Sequence, residues 1–369
     1  MTVADSQDLG NGSSDDPGSP TIGSVAEAAS LRRIFPRLPI AESALIGPGD
    51  DAAVIQAPDG RYVVTTDMMV HGPDFRLAWS TAHDLGWKAA ATNLSDVAAM
   101  GARPTAMVVA IAAPKDLPIT LFDGIADGLR DACAALAPGC GVVGGDLSVS
   151  DVLTIAITAF GDLEGREPVL RSGARVGDVV ALAGELGLAG LGLQLLFAEG
   201  VDADGVPDAE RAALLRREHP VPVEAQLAPN PPVSAGVEAA SAGATAMMDL
   251  SDGLAMDGTR LAVASDVCLD FESASLGADL QLALGAGEDH GLLACFPPDR
   301  PLPSSFRALG RVVVGEGIRI DGQRYEGAQC APARLVGSTD VAESTDGSSG
   351  VGGFFSGWDP YSGWDGRAG

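Results

Sequence analysis

The chain has 369 residues, of which 46% are hydrophobic and 20% charged, and it carries a formal net charge of −27. That length admits about two domains, each able to bury a core, and the composition is that of a soluble globular protein. The acidity argues against nucleic acid or anionic lipid as partners, and the longest apolar runs are too short to span a bilayer.

Residues 1–22 are rich in Gly, Ser, Asp and Pro without periodicity and read as a disordered leader. Helical spacing follows around Val25–Phe35. Ile46-Gly47-Pro48-Gly49-Asp50-Asp51 puts two adjacent carboxylates on a Gly-Pro-Gly turn, just before a short apolar strand near Ala52–Gln56. A second strand, Arg61–Thr66, is expected to end in Thr65-Thr66-Asp67. Ala78–Gly101 reads as a long helix containing Asn93-Leu94-Ser95-Asp96, followed by a strand at Thr105–Ala112 and a helix at Ile119–Leu136. Cys140–Val143 reads as a buried strand ending in Gly144-Gly145-Asp146, and Val152–Phe160 closes the first half.

The turn at Asp162–Pro168 reads as a hinge. Beyond it come Arg171-Ser172-Gly173-Ala174, a strand at Asp178–Ala183 and a Gly-punctuated helix over Leu188–Ala198. Further helical stretches follow to Gly243, then a short strand, Thr245–Met248, that feeds Asp249-Leu250-Ser251-Asp252-Gly253. The alternation predicts an α/β fold, with α+β lobes and mixed sheets. The predicted lobes are residues 23–163 and 164–330. Residues 331–369 form a low-complexity tail carrying Phe355-Ser356-Gly357-Trp358-Asp359 and its echo Tyr361-Ser362-Gly363-Trp364-Asp365.

The chemistry is expected at the aspartates that follow small residues: Asp50, Asp51, Asp67, Asp96, Asp146, Asp249 and Asp252. Most fall where a predicted strand meets a turn or helix, the place where α/β lobes gather ligands. Two such charges about 4 Å apart repel by roughly 4 kcal/mol at an effective dielectric near 20. If several converge, divalent cations or protonation must neutralise them, and oxygen ligands without convergent His or Cys select Mg²⁺ over zinc. The competing reading is seven separate caps and turns. Asp96 fits that reading poorly, because it stands inside a helical pattern. Lysine occurs only at Lys88 and Lys115, so a phosphate substrate must be held by arginines, backbone N–H groups or metal ions. The five cysteines are odd in number and lack a C-x-x-C pair. They point to a reducing cytoplasm, without a disulfide framework or zinc site. No secretory signal is visible, and the P-loop, dinucleotide, zincin and nucleophile-elbow patterns are absent. His71, His83, His219 and His290 have no ligand-like spacing and read as structural.

Gly49-Asp50-Asp51-Ala52-Ala53, Thr65-Thr66-Asp67, Asn93–Ala102, Gly144-Gly145-Asp146, Arg171-Ser172-Gly173-Ala174, Asp249–Leu254 and Gly287-Glu288-Asp289 occur in one order and spacing over about residues 23–325. In this the chain resembles the thiamine-monophosphate kinase family. The resemblance implies a two-lobe fold like that of aminoimidazole-ribonucleotide synthetase, with an N-terminal lobe that binds ATP and Mg²⁺ and dimerises. It implies transfer of the γ-phosphoryl of ATP to thiamine monophosphate, with several Mg²⁺ ions, in a cytoplasmic homodimer. By motif, Asp50, Thr65, Thr66, Asp67, Asp96, Asp146, Asp249 and Asp252 would hold magnesium. Gly145, Asp146, Arg171 and Ser251 would contact ATP, and Glu288 the thiamine part. Asp67, Asp146 and Arg171 would carry catalysis, while Asp51 braces its turn.

Three positions depart from the family pattern. Asp74 stands where the family has a substrate-contacting His. Gly285–Gly291 replaces the usual run around Glu288. The tail aromatic expected on the substrate is Phe355 in the best register, with Trp358, Tyr361 and Trp364 as rivals and simple packing as the other reading. Two alternatives stand beside the kinase: another ATP-using enzyme of the superfamily, of the aminoimidazole-ribonucleotide, selenophosphate or hydrogenase-maturation type, and a non-catalytic nucleotide-binding relative.

Overall fold

The computed structural model describes residues 20–21, 27–46 and 53–326. Both the leader and the aromatic tail lie outside this range. Helix α1 (Glu27–Ile34) is followed by β1 (Ala44–Ile46) and β2 (Val54–Ile55), a small antiparallel pair. Four longer strands then form one sheet: β3 (Val63–Val70), β4 (Arg103–Ala113), β5 (Gly141–Val149) and β6 (Thr154–Asp162), in the order β3-β6-β4-β5. Helix α2 (Ala82–Ala99) connects β3 to β4. Helix α3 (Ile119–Leu136) makes the crossover between β4 and β5, which are parallel.

Two strands run further than their hydrophobic pattern announced. Both β3 and β5 continue through their TTD and GGD motifs, because β3 stays in register with β6 from Val63↔Gly161 to Val70↔Thr154 and β5 with β4 as far as Val149. Both lie on sheet edges, where one side of the ladder is open and polar residues are tolerated. The long helix starts later than predicted. Thr81 caps it, accepting from Asp84 N–H at 3.1 Å while the Asp84 carboxylate accepts from Thr81 N–H at 2.9 Å.

α2 and α3 pack with almost no gap. A Cβ on Gly86 would meet the Ile125 carbonyl oxygen at 2.0 Å, and one on Gly128 would meet that of His83 at 2.0 Å. The two glycines let the backbones touch.

The second half builds a seven-stranded sheet from β7 (Val179–Ala183), β8 (Ala246–Asp249), β9 (Cys268–Phe271), β10 (Leu292–Phe296), β11 (Arg307–Val313), β12 (Gly317–Ile320) and β13 (Gln323–Arg324). Its order is β13-β12-β9-β11-β7-β10-β8. Between β7 and β8 stand α4 (Leu188–Glu199), α5 (Ala209–Glu218), α6 (Pro220–Leu227) and α7 (Val233–Ala242); α8 (Leu254–Ser265) and α9 (Leu280–Gly285) follow.

One hydrophobic core runs through both halves. Leu94, Val97 and Ala98 of α2 and Ile155 and Ile157 of β6 share it with Ala181, Met247, Leu292 and Phe296 of the larger sheet. The opposite face of that sheet buries Leu182, Met248 and Leu269 against Leu261 of α8. α2 is therefore the spine between the sheets, and Ala98 packs so closely on α7 that a Cβ on Gly236 would meet its carbonyl at 2.1 Å. Cys133, Cys140, Cys268 and Cys295 are buried free thiols. Among the described residues no helix is long and apolar enough to cross a membrane.

Candidate active site

The Asn-Leu-Ser-Asp segment of α2 reaches three different elements at once. Asn93 Oδ1 accepts from Asp67 N–H at 3.1 Å, satisfying an edge-strand donor of β3. Ser95 Oγ donates to Asp249 Oδ2 at 3.2 Å, at the end of β8. Asp96 Oδ2 accepts from Thr65 Oγ1 at 2.8 Å. Leu94 alone of the four points into the core, fully buried. Helical spacing thus turns one short motif into the clamp that gathers Asp67, Asp96 and Asp249, carried by a strand, a helix and a second strand.

The electrostatics of this group are unfavourable without a cation. Desolvation pushes the Asp96 carboxyl up to about 7, and Asp249 and Asp67 push in the same direction against the Thr65 hydrogen bond. Asp67 is raised too, by desolvation first and by Asp249 and Glu288 after it, with His290 opposing. His290, dismissed by its spacing, is buried with Nδ1 3.5 Å from Asp249 Oδ2. Burial alone would lower the pKa of its imidazole, but Asp249 and Glu288 outweigh that and hold it above the usual value. Only its place in the fold, in a loop laid back along Asp249, reveals it. Among the described residues no three carboxylate, imidazole or thiol side chains are gathered at metal-ligand spacing. The hard oxygen donors and their mutual repulsion nevertheless fit Mg²⁺.

The other predicted residues divide. Thr66 faces away from Thr65 and Asp67, as strand alternation requires, and donates to the Ile157 carbonyl at 2.9 Å. Asp146 is exposed on β5, at the far edge of the sheet from β3, where it accepts from Ser148 Oγ at 2.9 Å. In register it shares a row with Ala110, Ala156 and Met68, and so projects from the sheet face opposite Asp67. Gly145 is needed for packing, since a Cβ there would meet the Val109 carbonyl at 1.9 Å. It borders, with Asp146, an apolar cavity closed by Phe122 and Ile125 of α3 and Ile34 of α1. Arg171 is exposed and forms no ion pair among the described residues; its carbonyl accepts from Ser265 Oγ at 2.6 Å. Asp252 is engaged by Arg260, which also holds the fully buried Asp257 at 2.7 Å. Asp257, pushed up to about 7 mainly by burial, accepts from Asp252 N–H at 2.8 Å. Asp50, Asp51 and Phe355 lie outside the described residues.

Beside the carboxylates, Ser251 and Glu288 are joined: the Ser251 carbonyl accepts from Glu288 N–H at 2.8 Å. Asp289 caps the start of α4 through Ala189 N–H at 2.8 Å. Glu288 and His290 both have positive φ, 70° and 51°. Such backbone in a non-glycine residue marks a segment held by its surroundings. Glu288 lines a cleft with Asp74, Phe75, Arg76, Trp79 and Lys88. Asp74 closes its own turn, accepting from Val70 N–H at 2.7 Å, and stands at the mouth of this cleft in place of the expected histidine.

Over 325 residues, 84% of this chain and 92% of the relative, the sequence is 41% identical to a thiamine-monophosphate kinase of Mycobacterium tuberculosis. The chain belongs to the thiamine-monophosphate kinase family. It is accordingly an enzyme, a kinase. A family member from Corynebacterium glutamicum is 39% identical over 79% of this chain and 88% of its own length. Residues 49–163 match the family described as "AIR synthase related protein, N-terminal domain". Among solved structures, the Stenotrophomonas maltophilia family member superposes with a TM-score of 0.67 at 28% identity, over 80% of this chain and 96% of that one. AaThiL complexed with AMPPCP and TMP gives 0.63 at 30% identity, over 75% and 89%. A hydrogenase maturation protein, HypE, in complex with ATP shares the fold at 17% identity, with a TM-score of 0.56 over 79% and 88%. The predicted α/β architecture is thus the one the family has.

Proposed function

We propose that the chain transfers the γ-phosphoryl group of ATP directly to the phosphate of thiamine monophosphate, giving thiamine diphosphate and ADP, with Mg²⁺ held by its carboxylates. The observation that carries this reading is the convergence of Asp67, Asp96 and Asp249 beside the cleft lined by Asp74 and Glu288. A family member solved with AMPPCP and TMP supports the choice of substrates. The identity to thiamine-monophosphate kinases, set against 17% to HypE, favours this branch over other ATP-using enzymes of the fold.

An oxygen of the acceptor phosphate attacks the γ-phosphorus as the bond to the β-phosphate oxygen breaks. The acceptor's second pKa is about 6, so it arrives mostly dianionic and needs little help from a base. The difficulty is repulsion between two anionic substrates, and the work is positioning and neutralisation. Mg²⁺, when bound, would supply the neutralising charge. The chain's own part is to hold the oxygens still: Thr65 fixes Asp96, Ser95 fixes Asp249, and Asn93 fixes the backbone of Asp67. Thr65, Asp67, Asp96 and Asp249 are the ligand set this geometry favours. For the nucleotide, the apolar cavity beside Gly145 and Asp146 suits a purine base. We assign residues 23–163 and 164–330 to the two lobes and the cytoplasm as the compartment.

The test is purified protein with ATP, Mg²⁺ and thiamine monophosphate. Thiamine diphosphate and ADP are expected in equal amounts, and EDTA is expected to stop both; nucleotide binding without product would refute the proposal.

The part of the four-stranded sheet's outer face that is not packed against β1 and β2 supports a homodimer. Val64 and Met68 on β3 are 59% and 60% exposed, while the opposite face is covered by α2 and α3. Met68→Asp is expected to shift the protein from dimer to monomer in light scattering; a wild-type monomer would reject this interface.

A further inference from the structure

Lys88 is one of only two lysines in the chain, and it stands in the middle of α2 with its side chain 7% exposed. An ammonium is seldom buried there unless a partner holds it. Its Nζ lies 2.6 Å from Glu288 Oε2 and donates to the Gln226 carbonyl at 3.1 Å. With the Gln226 amide turned to its better-satisfied orientation, that side-chain oxygen accepts from Nζ as well, at 3.2 Å. All three N–H donors of the ammonium are then used.

Glu288 is held just as firmly from its own side. Its N–H donates to the Ser251 carbonyl, and a Cβ on the preceding Gly287 would meet that same oxygen at 2.4 Å. Asp289 ties the following residue to α4. The backbone therefore delivers the Glu288 side chain to one place, and Lys88 takes one of its two oxygens there. The other, Oε1, has no hydrogen-bond partner among the described residues, and the side chain is 24% exposed on the cleft that Lys88 and Asp74 also line.

We propose that Lys88 is a positioning residue for the acceptor substrate: by clamping Glu288 Oε2 it presents Oε1 to an N–H donor on the heterocyclic end of the substrate. This rests on the reading that Glu288 contacts the thiamine part. The clamp leaves the carboxylate ionised and pre-oriented, so that no conformational freedom is lost at Glu288 on binding. Burial alone would raise the Glu288 carboxyl, but Lys88 first and His290 second outweigh it and hold it below the usual range. The charged groups facing it are Lys88, His290, Asp74 and Asp67.

Steady-state kinetics of K88M, K88R, E288Q and the double variant K88M/E288Q test the proposal, each checked for wild-type melting behaviour. K88M and E288Q should each raise KM for thiamine monophosphate at least tenfold while KM for ATP stays within twofold. The double variant should be no worse than the poorer single one, because both remove the same pair. K88R, which keeps the charge, should recover most of the loss. If E288Q raises KM and K88M does not, the clamp is wrong although Glu288 still binds substrate. If E288Q leaves KM unchanged, the reading of Glu288 fails and the clamp with it. Equal losses in both KM values and kcat would reduce Lys88 to a structural ion pair and overturn the proposal, and additive losses in the double variant would show that Lys88 and Glu288 do not act as a pair and would overturn it too. Should K88M melt early, K88R and E288Q decide by the same criteria.

Discussion

Asp67→Asn is expected to lower kcat at least about a thousandfold, equivalent to roughly 4 kcal/mol of barrier, without weakening the fold. The carboxylate sits at the centre of a group in which every neighbour but His290 repels it. Asparagine keeps the shape and the backbone hydrogen bond to Asn93, but removes one charge from the repelling set. The melting temperature of the metal-free variant should therefore equal or exceed that of the wild type, the usual exchange of stability for function at a charged site. Activity within a few-fold of wild type would show that Asp67 is not part of the site. A large loss of Tm would show that its role is structural. Thr66→Val, by contrast, removes only the bonds to the Ile157 carbonyl and Thr158 Oγ1 on the other side of β3 and should leave kcat within a few-fold.

The second large effect is on stability against pH. The folded carboxyls of Asp96 and Asp257 are pushed up to about 7, and that of Asp289 up to about 6, above their values in the unfolded chain. Between those limits the folded state binds more protons than the unfolded one, so stability falls as pH rises. His290, also raised, acts in the same direction, its contribution being lost as pH climbs through its folded pKa. For Asp96 alone the loss between pH 4 and pH 8 is on the order of 4 kcal/mol. Glu164 opposes this at the acid end. Arg103 and Arg166 hold its carboxyl below the usual range, so its contribution disappears as pH falls through that lower value. Denaturant melts of metal-free protein are expected to show a steady decline in stability from pH 5 to pH 8. Added Mg²⁺ should restore stability at pH 8 far more than at pH 5.5, since the cation binds the ionised cluster of the folded state. A flat profile, or an equal Mg²⁺ effect at both pH values, would contradict the cluster as drawn.

The boundaries that were legible beforehand are those with a local cause. α3 begins and ends at the residues its periodicity predicts, Ile119 and Leu136, and β7 follows its apolar pattern closely. The ends of β3 and β5 were not, because edge strands carry polar residues through the ladder without a local penalty. Among the candidate site residues, Asp67, Asp96 and Asp249 could be named from their motifs, although only Asp96, inside a helical pattern, resisted the reading as a cap or turn. Thr66 and Asp146 carry the same kind of signal, yet side-chain alternation sends both to the other face of the sheet. Asp252 shares its loop with Asp249, but Arg260, eight residues further along α8, reaches back and occupies it.

The partners of the site were the hidden part. Nothing in the spacing of four scattered histidines marks His290 as the one beside Asp249, and a lysine in a helical pattern ordinarily faces water. Sequence alone set the expectation for the chemistry: an acidic chain with two lysines and aspartates repeated after small residues leads one to expect cation-dependent handling of phosphates. It also determined the family, since the motifs keep their order along the chain. Only the tertiary structure decided which of those carboxylates meet. Convergence depends on strand register, on which face a side chain takes, and on a helix whose Asn93, Ser95 and Asp96 each reach a different neighbour. It decided, too, that Lys88 lies under the cleft with Glu288, because the contact joins residues 200 positions apart, 88 and 288, and no local rule can see that far.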